Sequence, residues 1–182
     1  MAKLISKTYG EALYELAIEE NKVDSFAEEI AVLRGILADS KELNNLMNHP
    51  KIAKEEKLQV MKHVFEGRLD AQLLGFLSLI ITKDRYGEVD SILRYFLDQV
   101  KELKGIGVAY VASAEPLKEA QKQQIVDKLL ATTGYQQMEM HYTVDCGLIG
   151  GIVIRIGDRV VDSSIRTKLE ELQKSLMKIQ LA

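Results

Sequence analysis

The feature that most constrains this chain is a change of hydrophobic period near Gly105. From Leu4 to Lys104 apolar residues recur with helical spacing, and beyond Gly107 they alternate. A helix buries a stripe with a period of about 3.6 residues, a strand buries every second residue, and one segment cannot do both. The switch predicts two units, residues 1–105 and 106–182, joined at Gly105-Ile106-Gly107. At 182 residues with 47% hydrophobic side chains, the chain has enough apolar surface to bury a core in each.

The first half reads as a six-helix bundle. Ile5, Tyr9, Ala12, Leu13, Leu16 and Ala17 share one face of the first helix, opposite Glu11, Glu15 and Glu19. Phe26, Ile30, Leu33 and Leu37 mark the second. A short third helix follows Ser40, taken as its N-cap, and stops at His49-Pro50. Leu58, Met61, Val64 and Phe65 mark the fourth, with Gly67 at its C-terminus, and Asp70 caps the fifth. The sixth repeats Val89, Ile92, Leu93, Phe96, Leu97, Val100 and Leu103. The fifth, Leu73 to Ile81, is apolar almost all round. It is either a central helix or a helix with one side left for a partner.

The second half reads as a small α/β unit, so the class is α+β. Gly107 to Ser113 is a strand, and Pro116 at position N1 opens a helix to about Thr132, closed by Gly134. Gln137 to Val144 alternates cleanly. A hairpin runs Ile152 to Ile156 and Arg159 to Asp162, turning at Gly157-Asp158. The last helix starts near Ser163-Ser164 and sets Ile165, Leu169, Leu172, Leu176 and Ile179 at steps of 4, 3, 4 and 3. Two heptads are too few for an autonomous coiled coil, so this seam lies on the sheet or on a partner.

Candidate chemistry is sparse. His49, His63 and His141 are far apart, and none has metal-ligand spacing to a second ligand. His141 and Cys146 sit on a strand and the following turn, without an orienting third group. Gly147 to Gly151 leads into a strand rather than into a helix N-terminus, so it reads as a turn beside a sheet and not a phosphate loop. The expectation is no catalytic, cofactor or metal site. The chain carries 24 basic and 27 acidic residues, 15 and 18 of them before Gly105, and neither half has the cationic surplus of a nucleic-acid binder. No run reaches the roughly 18 apolar residues of a membrane span. One cysteine forms no internal disulfide and points to a reducing compartment. The N-terminal segment, with carboxylates in its first turns, reads as neither signal nor transit peptide.

The segment Gly147 to Leu172 resembles the C-terminal signature of the delta subunit of F-type ATP synthase, OSCP in mitochondria. Its carriers are Leu148-Ile149-Gly150-Gly151, Ile152 to Arg155, Gly157-Asp158 and Asp162-x-Ser164-x-Arg166. Tyr9 to Leu13, His49-Pro50-x-Ile52-x4-Lys57 and Lys83-Asp84-Arg85 extend the resemblance through the first half. Cys146 stands where the family often has Pro, and Ser163 where it often has Gly. The resemblance implies a non-catalytic stator subunit, cofactor-free, peripheral on the cytoplasmic face of the cell membrane as part of F1Fo. Its first domain would bind N-terminal helices of alpha subunits, and its second the C-terminal region of the b subunit. The acidic composition looks bacterial. An adaptor of another assembly, or a small cytosolic ligand-binding enzyme, are the alternatives. The main groove is expected between the first and fifth helices, with Tyr9, Ala12, Leu13 and Leu16 as one wall and Phe76 and Leu79 as the other. Gly75 would let a partner helix approach; the alternative is that all seven are core.

Overall fold

The computed structural model describes residues 2–180, with side chains described within residues 4–175. The chain divides into two units, one up to Lys101 and one from Glu102 onward. The first contains α1 (Ala2–Glu19), α2 (Val23–Asp39), α3 (Lys41–Asn48), α4 (Lys54–Phe65), α5 (Ala71–Thr82), a 3-10 turn (Tyr86–Glu88) and α6 (Val89–Leu103), whose last residues pass into the second unit.

These helices form because their apolar stripes converge on one core. Leu13, Ala17, Phe26, Ile30, Met61, Leu73, Ile80, Ile92, Leu93 and Phe96 have no accessible surface. Side chains such as Phe26 and Phe96 each contribute about 1.5–3 kcal/mol by leaving water. Close packing shows where α1 meets α6: a Cβ at Gly10 would run into the Tyr95 ring, while Tyr14 and Phe96 meet edge-on at 6.3 Å. The Tyr95 hydroxyl lies 3.2 Å from the Glu11 carboxylate on the same seam.

The joints are polar and specific. After α1 the chain reverses through Asn21 at φ 53°, and Lys22 Nζ then reaches Asp70 Oδ2 at 2.8 Å. Asp70 caps α5 as expected, its Oδ1 accepting from Gln72 N at 2.9 Å. Gly67 takes φ 75° just past α4. Ser40, by contrast, makes no side-chain cap on α3. Asn44 serves that corner instead, donating to the Leu37 carbonyl at 2.5 Å and facing the Tyr86 hydroxyl at 3.1 Å. Lys83-Asp84-Arg85 ends α5: Asp84 sits at φ 54°, and Lys54 from the start of α4 pairs with it at 2.5 Å.

The second unit contains β1 (Ile106–Ser113), α7 (Glu119–Thr132), β2 (Gln137–Val144), a 3-10 turn (Cys146–Leu148), β3 (Ile152–Ile156), β4 (Arg159–Asp162) and α8 (Ile165–Gln180). The sheet order is β2-β1-β3-β4, with β1 parallel to β2 and antiparallel to β3. The β1–α7–β2 crossover makes the parallel pair, and Gly157 at φ 55° turns the β3–β4 hairpin. Pro116 is not at N1 of α7. The helix starts three residues later than that assignment requires, at Glu119, with Lys118 as N-cap and Gln121 Oε1 accepting from Lys118 N at 2.9 Å.

Register sets Ala109, Val111, Met140, Tyr142, Ile154 and Val161 on one face of the sheet. The other face carries a row of planar side chains across three strands. His141 stacks on Tyr110 at 4.9 Å, and the Arg155 guanidinium lies 5.3 Å from the same ring.

Candidate partner-binding surfaces

The expected groove residues separate by burial. On α1, Ala12 is exposed, Tyr9 and Leu16 are half-buried, and Leu13 has no accessible surface. On α5, Gly75 is exposed, Leu79 is 45% exposed, and Phe76 is buried. Leu13 and Phe76 therefore belong to the core cluster and support the surface from below, because helical spacing turns them inward. A Cβ at Gly75 would meet nothing within 4 Å, so this glycine accommodates no neighbour within the unit. Helix α5 thus has a buried side and an open one. Leu73, Leu77, Ile80 and Ile81 fill the core, while Gly75 and Leu79 form an open strip.

One further apolar strip and two single side chains escaped the sequence reading. Leu4 and Ile18 are exposed singly, at the two ends of α1. Val32 and Ile36 are exposed on α2, with open space at Gly35 between them. The signal for the strip was present: Val32 and Ile36 stand at i and i+4, off the Phe26–Leu37 stripe.

The residues of possible chemistry are occupied structurally. His141 Nε2 sits 2.9 Å from Glu139 Oε1 while its ring stacks on Tyr110, and Cys146 is exposed in the turn beyond the strand. Among the described residues no group of three or more His, Cys, Asp or Glu could hold a metal ion.

The glycine signature is a packing device. Gly151 has φ 82°, and a Cβ there would collide with the Ser163 carbonyl oxygen and lie 3.0 Å from Ser164 Cα. A Cβ at Gly150 would lie 2.6 Å from Ile165 Cδ1. The turn and the β4–α8 joint, remote in sequence, lie against each other, and Ile165 N donates to the Gly150 carbonyl at 2.9 Å. Asp162 completes the joint by accepting from Ser164 N at 2.8 Å and from the Thr167 hydroxyl at 2.7 Å. These bonds to the ionised form hold its carboxyl below the usual range.

The second unit leaves apolar surface open. Helix α7 has no fully buried residue, and between it and β3–β4 lies a trough of about 1360 Å³ lined by Leu117, Ile125, Leu129, Ile152, Ile154 and Val161. The described seam positions of α8 are open as well: Ile165, Leu169 and Leu172 are exposed by 45%, 51% and 58%. Seam positions Leu176 and Ile179 lie outside the described side chains.

A helical unit and a small α/β unit, each with open apolar surface, define a class of protein: a two-unit docking protein. Comparison with known proteins supplies the family. The family model described as ATP synthase delta (OSCP) subunit matches residues 5–176. The chain is 54% identical over 181 residues to ATP synthase subunit delta of Lachnoclostridium phytofermentans, covering all of both chains. It is 33% identical to the Nostoc punctiforme subunit delta, covering 94% of each. Among solved structures, a chain of the Toxoplasma gondii mitochondrial ATP synthase hexamer shares the fold at TM-score 0.69 and 18% identity, over 94% of this chain and 97% of that one. This chain belongs to the ATP synthase delta (OSCP) subunit family, and is a non-catalytic subunit of that complex.

Proposed function

We propose that the chain is the stator link of an F1Fo ATP synthase, tying the alpha/beta crown to the peripheral stalk so that proton-driven rotation of the central shaft yields ATP. The carrying observation is that the family match runs through both units, residues 5–176, so both ends of a link reside in one chain. The first unit would take N-terminal helices of alpha subunits on the exposed Ala12 of α1, beside the half-buried Tyr9 and Leu16, and on the exposed Gly75 and Leu79 of α5. An amphipathic helix docks on such a surface through apolar anchors at i, i+3 and i+4. The second unit would hold the C-terminal region of the b subunit. Its place is the cytoplasmic face of the cell membrane, held there by its partners; no helix among the described residues is long and apolar enough to cross a membrane.

The test is copurification from membranes with alpha and beta subunits, followed by deletion of the chain. The expected result is a crown that leaves the membrane when the chain is missing. A crown that stays attached and coupled without it would refute the assignment.

A further inference from the structure

We propose that α8 is one half of a coiled coil, and that its open seam docks an amphipathic helix whose apolar stripe is flanked by carboxylates. The proposal rests on the reading that the second unit grips a helical stalk partner, and it assigns the element and the chemistry of the grip.

The seam is open and firmly mounted. Ile165, Leu169 and Leu172 are each exposed by 45% or more, although isolated heptad leucines would ordinarily be covered. The start of the helix is fixed by Ile165 N on the Gly150 carbonyl, by the buried Ser164, and by Asp162 on the Thr167 hydroxyl. A partner helix therefore meets a seam whose first turn is already fixed.

Charge selects the partner. With Ile165 and Leu172 at d and Leu169 at a, the flanking e and g positions are Arg166, Lys168, Gln173 and Ser175. Both charged flanks are cations, while Glu170 and Glu171 fall on the outer positions b and c. Arg166 Nε lies 3.1 Å from Glu170 Oε1, but the two side chains are 61% and 52% exposed, so that pair yields easily to a competing carboxylate. A second copy of α8 cannot supply it, because its own flanks hold no carboxylate.

The experiment uses the full chain and two three-heptad peptides with the same Ile/Leu seam, one with Glu and one with Lys at all flanking positions. By fluorescence anisotropy at low salt, the Glu peptide is expected to bind at least about tenfold more tightly, a preference that narrows at high salt. Arg166→Glu with Lys168→Glu should reverse the preference. Leu169→Asp with Leu172→Asp should abolish binding of both peptides with circular dichroism unchanged, since both side chains are exposed. Equal affinity for the two peptides, or binding that survives the leucine changes, overturns the proposal. So does a dimer in sedimentation that the leucine changes dissociate. A b-subunit soluble domain separates this from the stator reading. If that domain binds wild type and the leucine variant equally, the α8 site fails and the stator stands. If wild type binds neither crown nor stalk domain, the stator reading fails.

Discussion

Asp70 does two tasks at once, and pH separates them. It caps α5 through Gln72 N and pairs with Lys22, and the Lys22 contact followed by the backbone bond hold its carboxyl below the usual range. A carboxyl with a depressed folded pKa adds stability that is present above its unfolded value, near pH 4, and is lost as pH falls through the folded one. Asp70→Asn keeps a capping oxygen but loses the charge. Its deficit against wild type should be constant at neutral pH and shrink below about pH 4 in denaturant titrations. A deficit unchanged at strongly acid pH would show that the carboxylate is not the source. Tyr86 behaves in the opposite sense. Burial pushes its hydroxyl up to about 12. Its contribution is complete below about pH 10 and disappears as pH rises through that raised value. Gly151 is the third residue with a checkable role. Gly151→Ala places a Cβ against the Ser163 carbonyl oxygen at positive φ, and should cost about 1–3 kcal/mol in chemical denaturation. Wild-type stability in that variant would mean that the turn relaxes freely.

Among elements, α1 and α5 show how one helix serves both core and surface. Gly75 weakens α5 by about 1 kcal/mol relative to alanine, and its position is open, so a larger side chain has room. Gly75→Leu should leave the bundle folded by circular dichroism and weaken binding of an alpha-subunit N-terminal peptide, by about 1–3 kcal/mol as for overpacking in an occupied groove. Undiminished affinity would remove α5 from the site. Gly10 is the contrasting case, since its Cβ position is filled by Tyr95. Gly10→Ala should lower stability with no direct effect on that peptide, because the residue is buried between α1 and α6. Both glycines lie inside helices, Gly10 in α1 and Gly75 in α5. Only packing distinguishes a glycine that admits a partner from one that admits a neighbouring helix.

At the scale of the molecule, the chain divides after Lys101, inside the last turn of α6 and a few residues before the glycines that suggested the joint. Two units with separate cores are expected to survive separation. Limited proteolysis should cut first between Glu102 and Gly107, releasing two fragments that each keep their circular dichroism. A first cut inside Leu73–Ile81 would contradict this. The full chain is further expected to bind no ATP in calorimetry at micromolar concentration. Gly147 to Gly151 passes through a 3-10 turn into β3 and packs on the α8 joint, so its amides are not gathered at a helix N-terminus.

What the sequence determined by itself was the period of burial. Helical spacing up to α6, alternation in β1 and β2, and Gly157 in the hairpin are local patterns, because i+4 and i+2 neighbours lie within one element. The Asp70 cap and the Gly67 terminus were legible for the same reason: each acts within a few residues of itself. Ser40 does stand at the N-cap of α3 but makes no side-chain bond there, whereas Pro116 was misassigned because several nearby residues could open the helix, and the fold chose Lys118 with Gln121. The candidate groove was legible only as a set of apolar names. Leu13 and Ala12 are adjacent in sequence, yet one has no accessible surface and the other is exposed. Tertiary structure alone made that division, and it alone left α8 uncovered. Whether an apolar stripe meets its own core depends on where neighbouring elements end, and that distance is encoded in no single segment.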